Sequence, residues 1–373
     1  MALATTGPAA AGDLSAKGKR LLAYVGSYTA SERQGHGEGI SVYQVDPASG
    51  QWTLVQILKD LVNPSFLAFD QTRQFLYSVH GDEDHITAFK IDDETGMLSF
   101  LNRQPLGGKN GVHLAVDPTN RFIVTANYGS GVMAVFPRNP DGSLAPFCDL
   151  VALPGTPGPN KVEQPFAHPH HNPFHPSGRF IIIPDKGLDR VFVYRFDAEK
   201  GKLIANDPPA AVSRPGACPR HVDFHPGKPF VYVNNEVHAS VTAYRFDEQH
   251  GGFESLQEVS TVPADFAGKN KSAEIVVSPS GRFVYCSNRG HDSIVAYAIN
   301  QATGMLTVVG WEPSQGKTPR FITFDPAGKV FYVANQDSDS IVAFRADPEI
   351  GKLSPTGLVV NTGSPVCILF REG

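Results

Sequence analysis

The chain has 373 residues, of which 41% are hydrophobic and 18% charged, and its formal net charge is −5 at pH 7. The balance of charge is slightly acidic and Lys and Arg form no block, so binding to nucleic acid or to an anionic membrane surface is not expected. No run of about 18 apolar residues occurs, which excludes a membrane-spanning helix, and Cys148, Cys218, Cys286 and Cys367 are too scattered for a disulfide framework or a zinc knuckle.

The first segment of the chain, residues 1–20, is small and polar and ends in a basic cluster. We predict that it is a disordered leader, because it lacks the apolar core of a signal peptide. An Ala-rich start is also what remains when a signal has been removed. The protein is therefore expected to be soluble, cytoplasmic as written, and periplasmic if the segment is such a remnant.

From Leu21 onward the chain consists of short β-branched and aromatic runs separated by Pro, Gly, Asp and Asn, which is typical of all-β proteins. The stretch "PSFLAFDQTRQFLYSVHGDEDHITAFKIDDETGMLSF" from Pro64 recurs as "PRFITFDPAGKVFYVANQDSDSIVAFRADPEIGKLSP" from Pro319. Further units open at Gly111, Pro169, Pro219 and Ser272. Each unit has four strand-like runs and roughly 50 residues, the size of a propeller blade.

A seventh unit is split between the two ends of the chain. The N-terminal runs "LLAYVGSYT", "GISVYQV" and "WTLVQIL" lack a first strand, and the C-terminal "SPVCILFREG" resembles a first strand alone. Joining them completes a blade and removes free sheet edges. The sequence therefore predicts a seven-bladed β-propeller with four-stranded blades, closed by the N- and C-terminal strands in one blade, as one domain over residues 21–373.

A turn residue after the first run of each unit fixes the register of the repeats. These turn residues are Asp70, Asp117, His175, His225, Ser278 and Asp325. The residues four positions before them, with Cys367 in the split blade, are Phe66, His113, His171, His221, Glu274 and Phe321. The residues five positions before are Ser65, Val112, His170, Arg220, Ala273, Arg320 and, in the split blade, Val366. Both sets begin the innermost strand, which lines the central channel.

A hairpin returns the second strand of each blade to the mouth of the channel where the first strand begins. The ends of these second strands carry Asn127, Lys186, Glu236 and Arg289. Polar groups buried near a channel are costly unless they are paired or used, so their accumulation at one mouth predicts a site.

The stretch "AHPHHNPFHPSG" places four histidines in eight residues, and the register divides them between two faces. His170 and His171, like His221, are predicted at the mouth, with His168 just ahead of the strand. His175 and His225 occupy the turn on the opposite face, where other units have Asp or Ser, so a structural role is expected.

A metal site remains an alternative at this mouth, because His113, His171, His221 and Glu274 belong to one layer of successive blades. The neighbouring Arg220, Arg289 and Arg320 would repel a cation and favour an anion. An anionic ligand and no metal are therefore preferred.

The sequence resembles the propeller-type lactonase family, which holds bacterial seven-bladed 6-phosphogluconolactonases and the fungal carboxymuconate lactonizing enzyme. The resemblance covers residues 21–370 and is carried by "YVGSYT" (Tyr24–Thr29), "HPH" (His168–His170), "PRH" (Pro219–His221), "NE" (Asn235–Glu236), "AEI" (Ala273–Ile275), "SNRGHDSI" (Ser287–Ile294) and "TPRF" (Thr318–Phe321). It implies a metal-independent site without cofactor, acting on an anionic lactone or its open acid. The mechanistic residues of the family match His168 or His170, Arg220, Glu236 and Arg289; His171 departs from the small or apolar residue usual there.

Lactone hydrolysis needs an activated water, a stabilised oxyanion and a proton for the leaving alkoxide. Glu236 is predicted to be the base, with a pKa raised by partial burial, His170 the acid and Arg220 the oxyanion group. Arg289 and Arg320 are predicted to bind a phosphate or carboxylate. The remaining candidates for substrate binding are His168, His171, His221, Glu274, Asn127, Lys186 and Tyr28.

Several alternatives stay open at this stage. Glu236 and Arg220 would also suit an ion pair between blades, and Asn127 a turn. The same residues could catalyse the reverse reaction, the cyclisation of a muconate. A third alternative is a non-catalytic binding scaffold, a role that propellers also serve. A monomer or weak dimer is expected.

Overall fold

The computed structural model describes residues 20–373, which fold almost entirely into β-strands. Apart from Arg20, the predicted leader lies outside the described residues. Two short 3₁₀-helices, Ser31–Arg33 and Gln336–Ser338, interrupt the strands. Within residues 20–373 no helix is long and apolar enough to cross a membrane.

The strands of residues 20–373 form seven antiparallel sheets, the blades of a propeller, which confirms the predicted fold class. Blade 1 contains β1 (Leu21–Ser27), β2 (Ile40–Val45) and β3 (Trp52–Leu58), and blade 2 contains β4 (Pro64–Phe69), β5 (Phe75–His80), β6 (His85–Ile91) and β7 (Leu98–Pro105). Blade 3 contains β8 (Gly111–Val116), β9 (Phe122–Asn127), β10 (Val132–Pro137) and β11 (Asp149–Ala152), and blade 4 contains β12 (Phe180–Asp185), β13 (Arg190–Asp197) and β14 (Lys202–Val212).

Blades 5 to 7 continue the same order along the chain. Blade 5 contains β15 (Pro219–Phe224), β16 (Phe230–Asn235), β17 (Ser240–Asp247) and β18 (Gly252–Ser260), and blade 6 contains β19 (Lys271–Val277), β20 (Phe283–Arg289), β21 (Ser293–Ile299) and β22 (Leu306–Pro313). Blade 7 contains β23 (Pro319–Phe324), β24 (Val330–Asn335), β25 (Ser340–Ala346) and β26 (Leu353–Asn361). The last strand, β27 (Pro365–Glu372), returns to blade 1.

Closure of the ring follows the sequence prediction. Strand β27 pairs antiparallel with β1, from Leu21 opposite Glu372 to Gly26 opposite Cys367. It thereby becomes the innermost strand of blade 1, whose other strands come from the beginning of the described chain. The pairing covers the inner edge of β1, which would otherwise be open.

Blade 4 departs from the regular pattern at its innermost position. Where the other blades have a continuous strand, the chain here makes only two isolated bridges, Pro169 to Asp185 and Phe174 to Ile181. Pro169 and Pro173 have no N–H to donate, so a regular ladder cannot form across this stretch. The four-histidine stretch is therefore extended without being a regular strand.

Neighbouring blades pack through apolar side chains, and recurring tyrosines tie them together. The tyrosine hydroxyl donates to the carbonyl of a glycine in the outer turn of the next blade, a bond that contributes about 1 kcal/mol. The pairs are Tyr24 to Gly96, Tyr77 to Gly142, Tyr232 to Gly304 and Tyr285 to Gly351. These bonds lie on the face opposite the predicted mouth.

The turn residues of the repeat act as acceptors for the backbone on that opposite face. Asp70 Oδ1 accepts hydrogen bonds from the N–H groups of Gln74 and Phe75, at 2.9 and 3.0 Å. The Nδ1 atoms of His175 and His225 accept from the N–H groups two residues further on, each at 3.1 Å. The structural role expected for these two histidines is confirmed.

Candidate active site

A β-bulge near the start of the innermost strand brings two consecutive side chains to the channel. In the six blades with a regular inner strand, the pairing register shifts at this point. In blade 5, for example, Pro219 pairs with Asn235 and His221 with Asn234, so Arg220 is the extra residue. A bulge breaks the alternation of a strand and redirects a side chain. For this reason the residues five and four positions before the turn both face inward.

The residues four positions before the turn form one layer around the axis, here called the channel layer. Its members are Phe66, His113, His171, His221, Glu274, Phe321 and, in blade 1, Cys367. The ring centroids of Phe66 and His113 are 4.4 Å apart and those of His113 and His171 4.0 Å apart. His171 stacks on His221 at 4.3 Å. The sequence register therefore predicted this layer correctly.

Above the channel layer the mouth opens into a cleft of about 220 Å³. Its lining comprises Tyr28, Arg33, Asn110, Val112, Tyr128, Glu163, His170, Lys186, Glu236, Lys271, Arg289 and Arg320. A narrower space of about 20 Å³, enough for one water molecule, continues below it between His170, Arg220 and Arg320 and the channel layer. Inner-strand starts and second-strand ends therefore share one rim.

Glu236 lies at the centre of the cationic side of the cleft and is buried. Its Oε1 is 2.9 Å from Lys186 Nζ and 3.3 Å from Arg289 Nη2, and its Oε2 is 3.1 Å from Arg220 Nε. Lys186 and Glu236 directly follow β12 of blade 4 and β16 of blade 5, and Arg289 is the last residue of β20 in blade 6. The structure thus brings together the three residues predicted to converge, Arg220, Glu236 and Arg289, but as a mutual ion-pair network.

This network corrects the expectation that the pKa of Glu236 is raised. Burial raises the pKa of a carboxyl, but Lys186, Arg289 and Arg220 outweigh burial and hold the pKa of Glu236 well below its usual range. A carboxylate so stabilised is a poor acceptor for a proton from water. The arrangement instead fits the alternative of a structural ion pair. Arg220 and Glu236 both belong to blade 5, however, and it is Lys186 and Arg289 that connect Glu236 to blades 4 and 6.

Arg320 differs from the other cations of the cleft because no carboxylate pairs with it within residues 20–373. Its guanidinium lies 5.1 Å from the ring centroid of Tyr28. Lys271, by contrast, is 2.6 Å from Glu163, and Arg33 pairs with Asp82. The lining holds five cationic residues and two carboxylates, so the cleft favours an anion.

His170 joins the cleft to the channel layer through a chain of hydrogen bonds. Its Nδ1 is 3.2 Å from His221 Nε2, and His221 Nδ1 is 2.6 Å from Glu274 Oε1. Burial and the nearby Arg220 lower the pKa of both histidines well below the usual value. Burial raises the pKa of Glu274 to about 8, although Arg220 opposes that shift. His170 is therefore neutral at neutral pH.

Three predicted substrate-binding residues line neither the cleft nor the narrow space below it. Asn127 is fully buried, and its Nδ2 donates to the carbonyl of Leu106 in the preceding blade, so the turn alternative describes it better. His168 stacks on Tyr128 at 4.2 Å and bonds to its carbonyl through Nδ1, which places it behind the cleft wall. His171 lies in the channel layer, where its Nδ1 accepts from the Val222 N–H.

The ring nitrogens of the histidines in the channel layer would have to be free to bind a metal ion. Both ring nitrogens of His221 have partners, and His113 Nδ1 contacts Asn172 Oδ1 at 2.8 Å. Among residues 20–373 the ligand atoms that cluster closely are those of Glu83, Asp84 and His85, where β6 begins. The histidines of the channel layer are thus engaged with protein groups.

Glu163, Lys271 and Arg33 line the cleft although they were not predicted from the sequence. Glu163 belongs to a long connection that has no counterpart in other units, and Arg33 to the 3₁₀-helix after β1. Nothing in the repeat pattern marks these two. Lys271 begins β19, two residues before Ala273, so extending the register by two positions would have included it.

Comparison with known proteins agrees with this architecture. Residues 22–370 match the family described as "Lactonase, 7-bladed beta-propeller". The chain is 33% identical over 308 residues to a 6-phosphogluconolactonase of Bacillus subtilis, with 82% of this chain and 85% of that protein covered. It is 33% identical over 319 residues to a 6-phosphogluconolactonase of Formosa agariphila, covering 81% and 86% of the two chains.

A solved structure described as a periplasmic gluconolactonase of Pseudomonas aeruginosa superposes with a TM-score of 0.86. The two chains are 31% identical, and the match covers 94% of this chain and 99% of that one. Fold and relatives together define a propeller enzyme of the lactonase class, as predicted. The chain belongs to the seven-bladed β-propeller lactonase family.

Proposed function

We propose that the protein hydrolyses an anionic sugar-acid lactone of the 6-phosphogluconolactone type in the cleft, by acid–base catalysis without a metal. The observation that carries the proposal is the charge of the cleft, five cationic residues against two carboxylates around about 220 Å³. The names of the Bacillus and Formosa relatives support a phosphorylated substrate.

The positions of the cationic side chains in the cleft, and their ion pairs, support a different role for each. Arg320 and Arg220 lie beside His170 over the narrow space, where the carbonyl oxygen of the lactone becomes an oxyanion. Arg289 and Lys271 lie further out, where they suit the phosphate or carboxylate of the substrate. Glu236 holds Lys186, Arg220 and Arg289 in place, and His170 exchanges protons with water and the leaving oxygen.

The experiment measures acid release from a panel of phosphorylated, carboxylated and neutral sugar lactones, with a muconate included. The assay is repeated after the protein has been treated with a chelator. We expect the phosphorylated lactone to have the highest kcat/KM and the chelator to leave the rate unchanged. Preference for a neutral lactone would contradict the anion site, and cyclisation of the muconate alone would favour the lactonizing reaction.

Arg320→Ala is the variant that tests the proposed oxyanion contact within this panel. We expect it to reduce kcat/KM for the phosphorylated lactone by about 100-fold, because a charge-assisted contact contributes about 1.5–3 kcal/mol. Arg245→Ala is the matched control, since Arg245 pairs with Glu254 on the outer part of blade 5. Equal losses in the two variants would remove Arg320 from the site.

A further inference from the structure

We propose that Glu274 and His221 form a proton relay behind His170, so that His170 acts first as the general base and then as the general acid of lactone opening. This proposal rests on the lactonase function proposed above and assigns the groups that hold the proton. His170 is the catalytic residue, and His221 and Glu274 are positioning residues that act through it.

The geometry supplies one continuous path from the cleft to a buried carboxyl. Glu274 Oε1 lies 2.6 Å from His221 Nδ1, and His221 Nε2 lies 3.2 Å from His170 Nδ1. The remaining ring nitrogen of His170, Nε2, has no partner within residues 20–373 and is not a buried orphan atom. His170 lines both the cleft and the narrow space, so this nitrogen is the end of the path that meets a ligand.

The path has two proton arrangements, because each neutral imidazole carries one N–H. When Glu274 is ionised, His221 Nδ1–H donates to it and His170 Nδ1–H donates to His221 Nε2. His170 Nε2 then presents a lone pair, as a base requires. When Glu274 is protonated, both histidines carry their proton on Nε2, and His170 presents an N–H, as an acid requires.

Electrostatics favour relaying the proton over keeping it on His170. An imidazolium at this position would lie among the cations Lys186, Arg220 and Arg320, with Glu236 already paired to two of them. Glu274 offers a better end point because burial disfavours its ionised form, which raises its pKa to about 8 against the effect of Arg220. The transferred proton therefore neutralises a buried negative charge.

The groups around the path are mostly neutral or cationic. Those acting on His170 are Lys186, Arg220, Glu236 and Arg320, with the edge of Tyr128 against its ring. Those acting on His221 are Arg220, His113, His170 and His171, and those acting on Glu274 are Arg220, Arg320 and Asp223, with Cys286 and Cys367 nearby. Asp223, the one acid among the groups that act on Glu274, opposes ionisation of Glu274 and so favours its protonated state.

The steps of the reaction balance. A water molecule loses a proton to His170 Nε2 while its oxygen bonds to the lactone carbonyl carbon. His170 Nδ1–H passes to His221 Nε2, and His221 Nδ1–H passes to Glu274. When the tetrahedral intermediate collapses, the bond from carbon to ring oxygen breaks, and the ring oxygen takes the proton of His170 Nε2. The relay reverses, and the product is the open hydroxy acid.

The test compares kcat and KM of Glu274→Gln, His221→Gln and the double variant with the lactone that the wild type turns over best. Each single variant keeps side-chain size but cannot pass the proton, so we expect kcat to fall by about 100-fold with KM unchanged. The double variant should lose no more than either single one, because the groups act as a unit. Glu274→Asp, which keeps a titratable carboxyl, should recover part of the rate.

Two further measurements separate the relay from a structural role. In mixtures of light and heavy water the wild-type rate should depend on deuterium content along a curve, since several protons move together, and Glu274→Gln should give a straight line. His113→Gln, in the same channel layer but outside the path, is the control and should keep the wild-type rate and curve. Thermal melts establish that all variants fold.

The outcomes that overturn the relay differ from those that overturn the proposed function. A wild type inactive on every anionic lactone would refute both. An active wild type with Glu274→Gln within threefold of its kcat would refute the relay alone. The relay alone would also be refuted if Glu274→Gln lowered kcat while His221→Gln left it unchanged, because Glu274 would then act directly.

Discussion

Two pairs of histidines from equivalent units of this chain have different surroundings at the two ends of the channel. His170 and His221 lie at the mouth, where their rings bond to each other and, through His221, to Glu274. His175 and His225 lie four or five residues later on the opposite face, where each accepts a backbone N–H in a turn. Residue type alone therefore does not distinguish them; the position in the blade does.

The largest expected effect separates the two ends directly. His170→Ala should reduce kcat by about 10³-fold, because it removes the general acid and base. His175→Asp, which installs the residue found in the same turn of blades 2 and 3, should leave kcat unchanged. Steady-state kinetics on the phosphorylated lactone measures both. A comparable loss in the two variants would mean that the opposite face takes part in the reaction.

The next effect concerns stability at the mouth. Glu236→Gln removes the carboxylate shared by Lys186, Arg220 and Arg289. It leaves the buried Arg220 without a carboxylate partner and Lys186 with only Glu163, at 3.7 Å. Breaking a buried ion pair from one side costs about 3 kcal/mol in the free energy of unfolding, which denaturant titration measures. Glu254→Gln, which breaks an exposed pair with Arg245, should cost less than about 1 kcal/mol. Similar costs would contradict a stabilising role for the network.

The pH dependence of stability provides a third comparison. Burial and Arg220 lower the pKa of His170 and His221, so these groups stabilise the fold fully above their unfolded pKa near 6.5, and this contribution is lost as pH falls below that value. The pKa of Glu274 is raised to about 8, so its contribution is present below its unfolded value and is lost as pH rises towards 8. Glu274→Gln should therefore melt higher than the wild type at pH 8 and show no such gain at pH 5. The same difference in melting temperature between Glu274→Gln and the wild type at both pH values would mean that Glu274 is ionised in the folded protein.

The smallest effect comes from the scaffold of the opposite face. Tyr232→Phe removes the hydrogen bond from blade 5 to the carbonyl of Gly304 in blade 6, and we expect a loss of about 1 kcal/mol in unfolding free energy with kcat unchanged. Denaturant titration and kinetics on one preparation test both parts. A fall in kcat would show that the two faces are coupled.

The repeat explains why the fold and the layout of the site were predictable. The turn residues fixed the register of six units, and the unmatched runs at the two ends indicated the strand that closes blade 1. Counting back from those turns assigned Arg220, His221 and Glu274 to one rim before any contact was known. Repetition makes each unit a check on the others.

The missing part has physical causes. The bulge that brings both Arg220 and His221 to the channel depends on pairing between strands, which periodicity does not report. The pKa of Glu236 depends on how many cations reach it, and Lys186 and Arg289 come from other blades. Glu163 lies in a connection without a repeat, so no register applied to it.

The inner rim has seven comparable positions, six at the bulges and one in the irregular segment of blade 4. They are filled by Ser65, Val112, His170, Arg220, Ala273, Arg320 and Val366. Four of them carry small or aliphatic side chains, and three carry the groups assigned to chemistry. Since each position belongs to a separate sheet, one can change without disturbing the strand order of its neighbours. Substitutions at the four positions with small or aliphatic side chains can therefore change the substrate preference without changing the fold. Val112 is the first of these positions to test, because it already lines the cleft.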